Sequence, residues 1–285
     1  MYDVTIIGAG PAGISASLYV KRANLNVLVL YNGKSNLEDA LKIENYYGFV
    51  DGISGHNLYY NGIEQAKKLG VEVRKEEVVV IESLGETYNV KTEKESFETK
   101  SLIIATGNRK IKPNIEGLLE FEGKGVSYCA ICDAFFYKNK NVAVIGNGNF
   151  AVNEAKELSH VANKVTILTN GLEMLECDFE LITKKIKSLK GKEKVTNVEF
   201  EDGTIFDIDG VFIAYGEAGA SDFAKTLGII QNGENIKVND KMETNVKGIF
   251  VCGNITGGLL QICKAVYEGA QAGLSAVNYI KENKI

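Results

Sequence analysis

The chain has 285 residues, 45% hydrophobic and 24% charged, the balance of an ordinary globular protein with enough length for two cores. A net charge of −5 leaves no broad basic face and excludes general nucleic-acid binding. No apolar run approaches the ~18–20 residues of a membrane span, and no basic, apolar leader precedes Val4, so the reading is cytoplasmic.

The opening reads strand, turn, helix: Val4 to Ile7, then Gly8-Ala9-Gly10-Pro11-Ala12-Gly13, then Ile14 to Ala23, with a second strand at Asn26–Tyr31. A helix is expected around Leu58–Leu69, β-rich stretches at Val71–Ser83, Thr87–Thr92 and Ser96–Lys100, and a strand at Leu102–Ala105. The same unit recurs at Asn141–Ile145, Gly146-Asn147-Gly148-Asn149-Phe150-Ala151 and Val152–His160, followed by a strand at Lys164–Leu168. A lysine-rich helix is expected next, leading into Val195–Phe200. The last third holds a strand at Gly248–Cys252, a glycine turn, and a helix from about Leu260 to Tyr279. Buried strands alternating with helices predict an α/β fold of two Rossmann-like, doubly wound, three-layer domains.

Gly8-x-Gly10-x-x-Gly13 follows a strand and opens a helix, the context a dinucleotide fingerprint requires. Gly8 permits the tight turn, Gly10 lets a pyrophosphate approach the backbone, and Gly13 lets helix and strand pack closely. The helix N-terminus supplies N–H groups and a positive dipole end. The acidic residue that usually follows the second strand is missing, which leaves Asn32 or the Tyr31 ring to face an adenosine.

Five cysteines is an odd, low number, unlike a secreted disulfide scaffold. Cys129-Ala130-Ile131-Cys132-Asp133 has the spacing to close a disulfide across one turn. If Cys132 begins a helix, the dipole there raises its thiolate fraction. Asp133 is placed to exchange protons with a departing thiolate. Zinc is the rival reading, but it needs four ligands; Cys177, Cys252 and Cys263 are scattered and His56 and His160 are isolated, so no metal is assigned. Two inert buried thiols is the remaining alternative. Redox chemistry is the favoured reading.

Taken together, these pieces resemble the low-molecular-weight thioredoxin reductase family almost from end to end. The resemblance is carried by Gly8 to Gly13, Ile43-Glu44-Asn45-Tyr46-Tyr47-Gly48, Ile104-Ala105-Thr106-Gly107, Cys129 to Asp133 with Phe135-Phe136-Tyr137, and Gly248 to Gly253, in the family's order and spacing. It implies an FAD-binding domain formed by residues 1–110 and 217–285, interrupted by a smaller NAD(P)-like domain at 111–216 that carries the cysteine pair. It also implies that Cys132 lies against the flavin, Cys129 attacks the disulfide of thioredoxin, and Asp133 is the general acid. FAD would be held by Gly8, Gly10, Ala12, Gly13, Asn32, Asn45, Val78, Ala105, Thr106, Gly107, Gly253, Asn254, Gln261 and Ile262. Members are homodimers.

The departures are as informative. The second turn survives as Gly146-x-Gly148-x-x-Ala151, but Leu168-Thr169-Asn170-Gly171 offers neither an acid for NAD nor arginines for NADP, and no arginine follows Arg109. The segment after Gly171 is short, and Glu217 after Ala214-Tyr215-Gly216 would repel a phosphate. The inserted domain therefore reads as a vestigial nucleotide fold. This pattern resembles the ferredoxin-dependent flavin thioredoxin reductases of anaerobic bacteria, implying ferredoxin as the electron donor. On the flavin side, Asn254 and Leu260 replace the family's Asp and Arg, and Ser35-Asn36-Leu37 replaces a Gly-Gly-Gln-Leu loop, with Asn36 standing in for the Gln.

Lys184, Lys185, Lys187, Lys190, Lys192 and Lys194 offer a docking face for an acidic partner, against the plainer reading of a solvated helix. The aromatic cluster at Phe135–Tyr137 reads as core beneath the redox turn, and Cys252 and Cys263 as packing residues. The competing functions are an NADPH-dependent thioredoxin reductase with an atypical nucleotide site, a flavin-containing redox sensor with little turnover, and a ferredoxin–NADP reductase of related fold.

Overall fold

The computed structural model describes residues 1–32, 35–107, 113–174, 177–216, 218–233 and 235–283, the side chains of Asn36, Asp39 and Ile131 excepted. The chain divides into two compact units, Met1–Arg109 with Gly219–Ile285, and Lys110–Ala218. Both are α/β.

In the first unit, β1 (Tyr2–Ile7), β2 (Val27–Tyr31) and β3 (Glu72–Lys75) are parallel neighbours. β1 and β2 are near-continuous apolar runs because both faces of these strands are buried. β6 (Ser96–Ile104) is one long strand with three partners in a single seven-stranded sheet. Its first half pairs antiparallel with β5 (Tyr88–Thr92), which continues to β4 (Val78–Ser83). Its second half pairs parallel with β17 (Ile249–Val251), while β1 runs along its other edge. The stretch expected as one β-rich run from Val71 is thus two strands with different partners.

Helix α1 (Pro11–Arg22) and the C-terminal helix α6 (Ile262–Asn283) pack together through small residues. A Cβ on Gly269 would stand 2.1 Å from the Ala12 carbonyl oxygen, and one on Gly273 2.6 Å from that of Ala16. Backbone meets backbone here, so larger side chains are excluded. α2 (Gly55–Lys68) is capped by Ser54 Oγ, which accepts the Asn57 amide at 3.1 Å.

The second unit has a five-stranded parallel sheet in the order β10 (Glu180–Ile182), β9 (Lys164–Leu168), β8 (Asn141–Ile145), β14 (Gly210–Ile213), β7 (Val126–Ser127). Helix α4 (Asn149–Ser159) opens from the second glycine turn. A separate antiparallel sheet joins β11 (Ile186–Gly191), β12 (Val195–Phe200) and β13 (Ile205–Asp207).

β11 corrects the lysine-rich helix. Ile186 and Leu189 are both buried and three apart, which reads as helical spacing. The register against β12 shifts between Ile186 and Ser188 and again between Lys190 and Gly191. Such irregularities break strict alternation, so a strand acquires a false helical period. Three of the six lysines are also closely paired with carboxylates. Lys184 pairs with Asp202 at 2.7 Å, Lys185 with Glu201 at 2.6 Å, and Lys187 with Glu199 at 2.6 Å.

Among the described residues, no helix is long and apolar enough to cross a membrane.

Candidate functional site

The first site collects at the carboxyl ends of β2, β1, β6 and β17, where open parallel sheets receive ligands. Gly8 follows β1 at φ +110°, a conformation that disfavours any side chain; a Cβ there would also stand 2.4 Å from the Ala105 carbonyl oxygen. A Cβ on Gly13 would stand 1.8 Å from the Gly8 oxygen, so strand and helix touch through glycine. Around Gly10 nothing lies within 4 Å of that position, and no side chain caps α1. The cradle is open at the point where a pyrophosphate needs room and free amides.

Five of the other expected ligands lie just beyond β6 and β17, and the rest are held by neighbouring elements. Ala105, Thr106 and Gly107 follow β6, and Thr106 Oγ1 accepts the Ala220 amide at 3.1 Å. That amide opens α5 (Ala220–Thr226), which packs against β4, the strand that Val78 begins as a buried residue. Gly253 and Asn254 follow β17, and a Cβ on Gly253 would stand 3.0 Å from that of Ala12. Asn45 Nδ2 donates to Gln261 Oε1 at 3.0 Å, immediately before Ile262 opens α6. Asn32 is exposed just beyond β2. Ser35 starts the turn that contains Asn36, whose side chain lies outside the described residues, as does Glu217.

A network that sequence reading missed braces this site. Glu268 Oε2 accepts the Gly253 amide at 2.8 Å and pairs with Lys264 at 3.0 Å. Lys264 Nζ donates to the carbonyls of Gly253 at 2.8 Å and Gly257 at 2.7 Å and to Thr256 Oγ1 at 2.7 Å. Both side chains are largely buried. The signal was present: an i,i+4 pair of opposite charges interrupts the buried face Ala265, Gly269, Ala272 of α6.

The second site is the redox turn. Cys129 and Cys132 are joined as a disulfide with Cα atoms 5.4 Å apart. Cys129, not Cys132, stands at the start of α3 (Ala130–Asp133), and its Sγ accepts the Cys132 amide at 3.2 Å. The helical turn therefore favours negative charge on the Cys129 sulfur, which corrects the assignment of the helix start to Cys132. Ser127 Oγ donates to Asp133 Oδ2 at 2.6 Å and accepts the Cys129 amide at 3.1 Å, tying the acid to the sulfurs. The Ala130 amide donates to Glu154 Oε2 of α4 at 2.6 Å. Sequence reading missed Ser127 and Glu154; the legible signal for Glu154 is a carboxylate on the buried face Phe150, Ala151, Ala155, Leu158.

The aromatic cluster is corrected too. Phe135 and Phe136 are 79% and 67% exposed, and Tyr137 alone turns inward, against Phe212. Burial first, then the nearby Asp133 charge, raises the Tyr137 hydroxyl above the usual tyrosine range. Cys252 is buried as expected, whereas Cys263 is exposed and is no packing residue. Among the described residues, no cluster of His, Cys, Asp or Glu is placed to hold a metal ion.

At the second glycine turn the cradle persists but its surroundings are occupied by the chain. Asn147 Nδ2 donates to the Glu173 carbonyl at 3.2 Å. Asn170, at the position expected to read a ribose, has φ +54° and accepts the Ile186 amide on Oδ1 at 2.8 Å.

The chain belongs to the pyridine nucleotide-disulphide oxidoreductases, whose model matches residues 2–269, and within them to the FAD-dependent thioredoxin reductases. It is 36% identical to a thioredoxin reductase of Bacillus subtilis (strain 168), over 99% of this chain and 96% of that protein. The crystal structure of the atypical thioredoxin reductase TRi from Desulfovibrio vulgaris Hildenborough is similar at a TM-score of 0.94 and 37% identity, covering 99% of each chain. A ferredoxin-flavin thioredoxin reductase from Clostridium acetobutylicum is similar at a TM-score of 0.74 and 33% identity, covering 99% of this chain and 98% of that one.

Proposed function

We propose that the chain reduces thioredoxin through Cys129–Cys132 with electrons that reach FAD from reduced ferredoxin rather than from NADPH. Bound FAD accepts electrons singly and delivers them in pairs, as such a donor requires. The observation that carries the choice of donor is Asn170. Its Oδ1 accepts the Ile186 amide, at the position where a nucleotide site needs a reader for the ribose or its phosphate. The absence of any arginine after Arg109 supports the same reading.

In this reading the unit Met1–Arg109 with Gly219–Ile285 binds FAD through the glycine turn, the Asn45–Gln261 pair and the Gly253 loop. The unit Lys110–Ala218 carries the redox turn on a nucleotide fold that no longer binds nucleotide. Reduced Cys129 attacks a sulfur of the thioredoxin disulfide and releases the other as a thiol. Cys132 then attacks Cys129 Sγ, releasing the second thiol and restoring the disulfide. Asp133, oriented by Ser127, supplies the proton to the departing thiolate. The active form is a cytoplasmic homodimer.

The test is anaerobic thioredoxin reduction with NADPH, NADH and reduced ferredoxin in parallel. Turnover is expected with ferredoxin alone. Rapid, full bleaching of the flavin band by NADPH would overturn the choice of donor and point to nucleotide held by the retained Gly146–Ala151 turn.

A further inference from the structure

We propose that Glu154 is a positioning residue of the redox turn, its carboxylate delivered by α4 to the Ala130 amide so as to keep the Cys129–Cys132 couple reducing. The inference rests on the reading of that disulfide as the working one.

Glu154 is 7% exposed, and its Oε2 lies 2.6 Å from the amide nitrogen of the residue that follows Cys129. Taking a carboxylate out of water is costly unless it is hydrogen-bonded, and the Ala130 amide is one group that holds this one. Completing the cap of α3 is a weak reason for that bond. The first turn of α3 already has an acceptor in Cys129 Sγ, which takes the Cys132 amide at 3.2 Å. Asp133 stands at the other end of the same turn, tied to Ser127 at 2.6 Å. An acid thus holds the redox turn at each end, one of them reaching the amide after Cys129 from α4.

The chemical consequence follows from the balance of the step. Reduction breaks the Sγ–Sγ bond, takes two electrons from the enzyme's reduced FAD and two protons from solvent or Asp133, and leaves two thiols. Either thiol can then ionise. A nearby negative charge disfavours the thiolate. Because stabilised thiolates make a dithiol couple oxidising, an acid held beside them makes it reducing. That direction suits an enzyme that must hand electrons on to another protein disulfide. It also gives the second glycine turn a use without nucleotide: α4, which opens there, carries Glu154 to the amide beside Cys129.

The test is redox equilibration of the purified, FAD-loaded enzyme at pH 7 in graded dithiothreitol buffers, with the dithiol fraction counted by alkylation and mass spectrometry. Glu154→Gln keeps the size and the acceptor oxygen but removes the charge. It is expected to shift the equilibrium about tenfold towards the dithiol, a potential about 30 mV less negative. A purely structural cap would survive in this variant, so an unchanged potential overturns the proposal. Should the Gln variant not fold, Glu154→Asp draws the charge back from the amide and should move the potential in the same direction by less. No movement there is equally fatal. A wild-type pair that does not titrate at all would instead sink the redox reading of the disulfide.

Discussion

Asn45 and Gln261, at opposite ends of the chain, meet side chain to side chain at 3.0 Å. Both are exposed, so the bond itself adds little to folding; an exposed hydrogen bond contributes about 1 kcal/mol or less. Its effect should appear on FAD. Asn45→Ala and Gln261→Ala are each expected to weaken FAD binding about 5–30-fold, roughly 1–2 kcal/mol, with little change in the melting temperature of the apoprotein. Fluorescence of released FAD on dilution measures the first, and a thermal melt the second. In a double-mutant cycle the two losses should not add, because either change removes the shared bond.

The Lys264–Glu268 network behaves differently because both groups are buried. Lys264→Met leaves Glu268 as a buried carboxylate without its cation, and removal of one partner from such a pair costs about 3–5 kcal/mol. The change also frees the Gly253 and Gly257 carbonyls, so the loop loses its brace. Both the melting temperature and FAD retention should fall. Replacing the pair with Met and Leu together should recover stability but not FAD retention, since the loop then has no charged anchor.

How far the sequence spoke for itself depends on whether a local rule held. The glycine turns were legible because tight backbone contacts admit one residue type. Gly8 and Gly13 leave no room for a Cβ, and both were placed from spacing alone. The redox turn was legible from Cys129-x-x-Cys132, but which cysteine starts the helix was not, because α3 is four residues long. β11 was misread for a local reason, its bulged register. Ser127 and Lys264 escaped because their partners, Asp133 and the Gly253 loop, are set by tertiary structure rather than by period.

The lysine hairpin gives a prediction opposite to that of an open basic face. Lys187 meets Glu199 across the antiparallel ladder and Lys184 meets Asp202 just beyond it, so their charge is locally cancelled. The double variant Lys184→Glu, Lys187→Glu should change ferredoxin-driven turnover by less than about twofold, since exposed pairs are worth only about 0–1 kcal/mol. Stopped-flow rates at low ionic strength decide the matter. A large, salt-dependent slowing would restore the docking role to this hairpin.

Cys252 and Cys263 should separate cleanly by reactivity. Cys252 is fully enclosed, and burial, then the Glu268 charge, pushes its thiol well above the ordinary range. Iodoacetamide at pH 8 should therefore label Cys263 and leave Cys252 untouched until the protein unfolds. The same shift has a signature in stability. The thiol ionises more easily in the unfolded chain, so its contribution is present below about pH 8.5 and is lost as pH rises above that value. Cys252→Ala should flatten the loss of stability between about pH 8.5 and 10, a window chosen to precede most tyrosine ionisation.

The two sulfurs of the redox turn should also be distinguishable. Cys129 starts α3, with its Sγ at the Cys132 amide, so the proposed roles make it the sulfur that meets thioredoxin and Cys132 the one that resolves the mixed disulfide. Cys132→Ser should then trap a covalent complex on non-reducing gels with a thioredoxin whose second active-site cysteine is replaced by Ser and whose remaining cysteine is activated as a mixed disulfide with a small thiol, which leaves as Cys129 attacks. Cys129→Ser should trap none, while both variants stay yellow because neither cysteine belongs to the unit that carries the Gly8–Gly13 turn. Loss of turnover should be complete in each, since two-electron transfer through the pair needs both sulfurs. A complex formed by Cys129→Ser instead would reverse the roles, and with them the argument from the helix start.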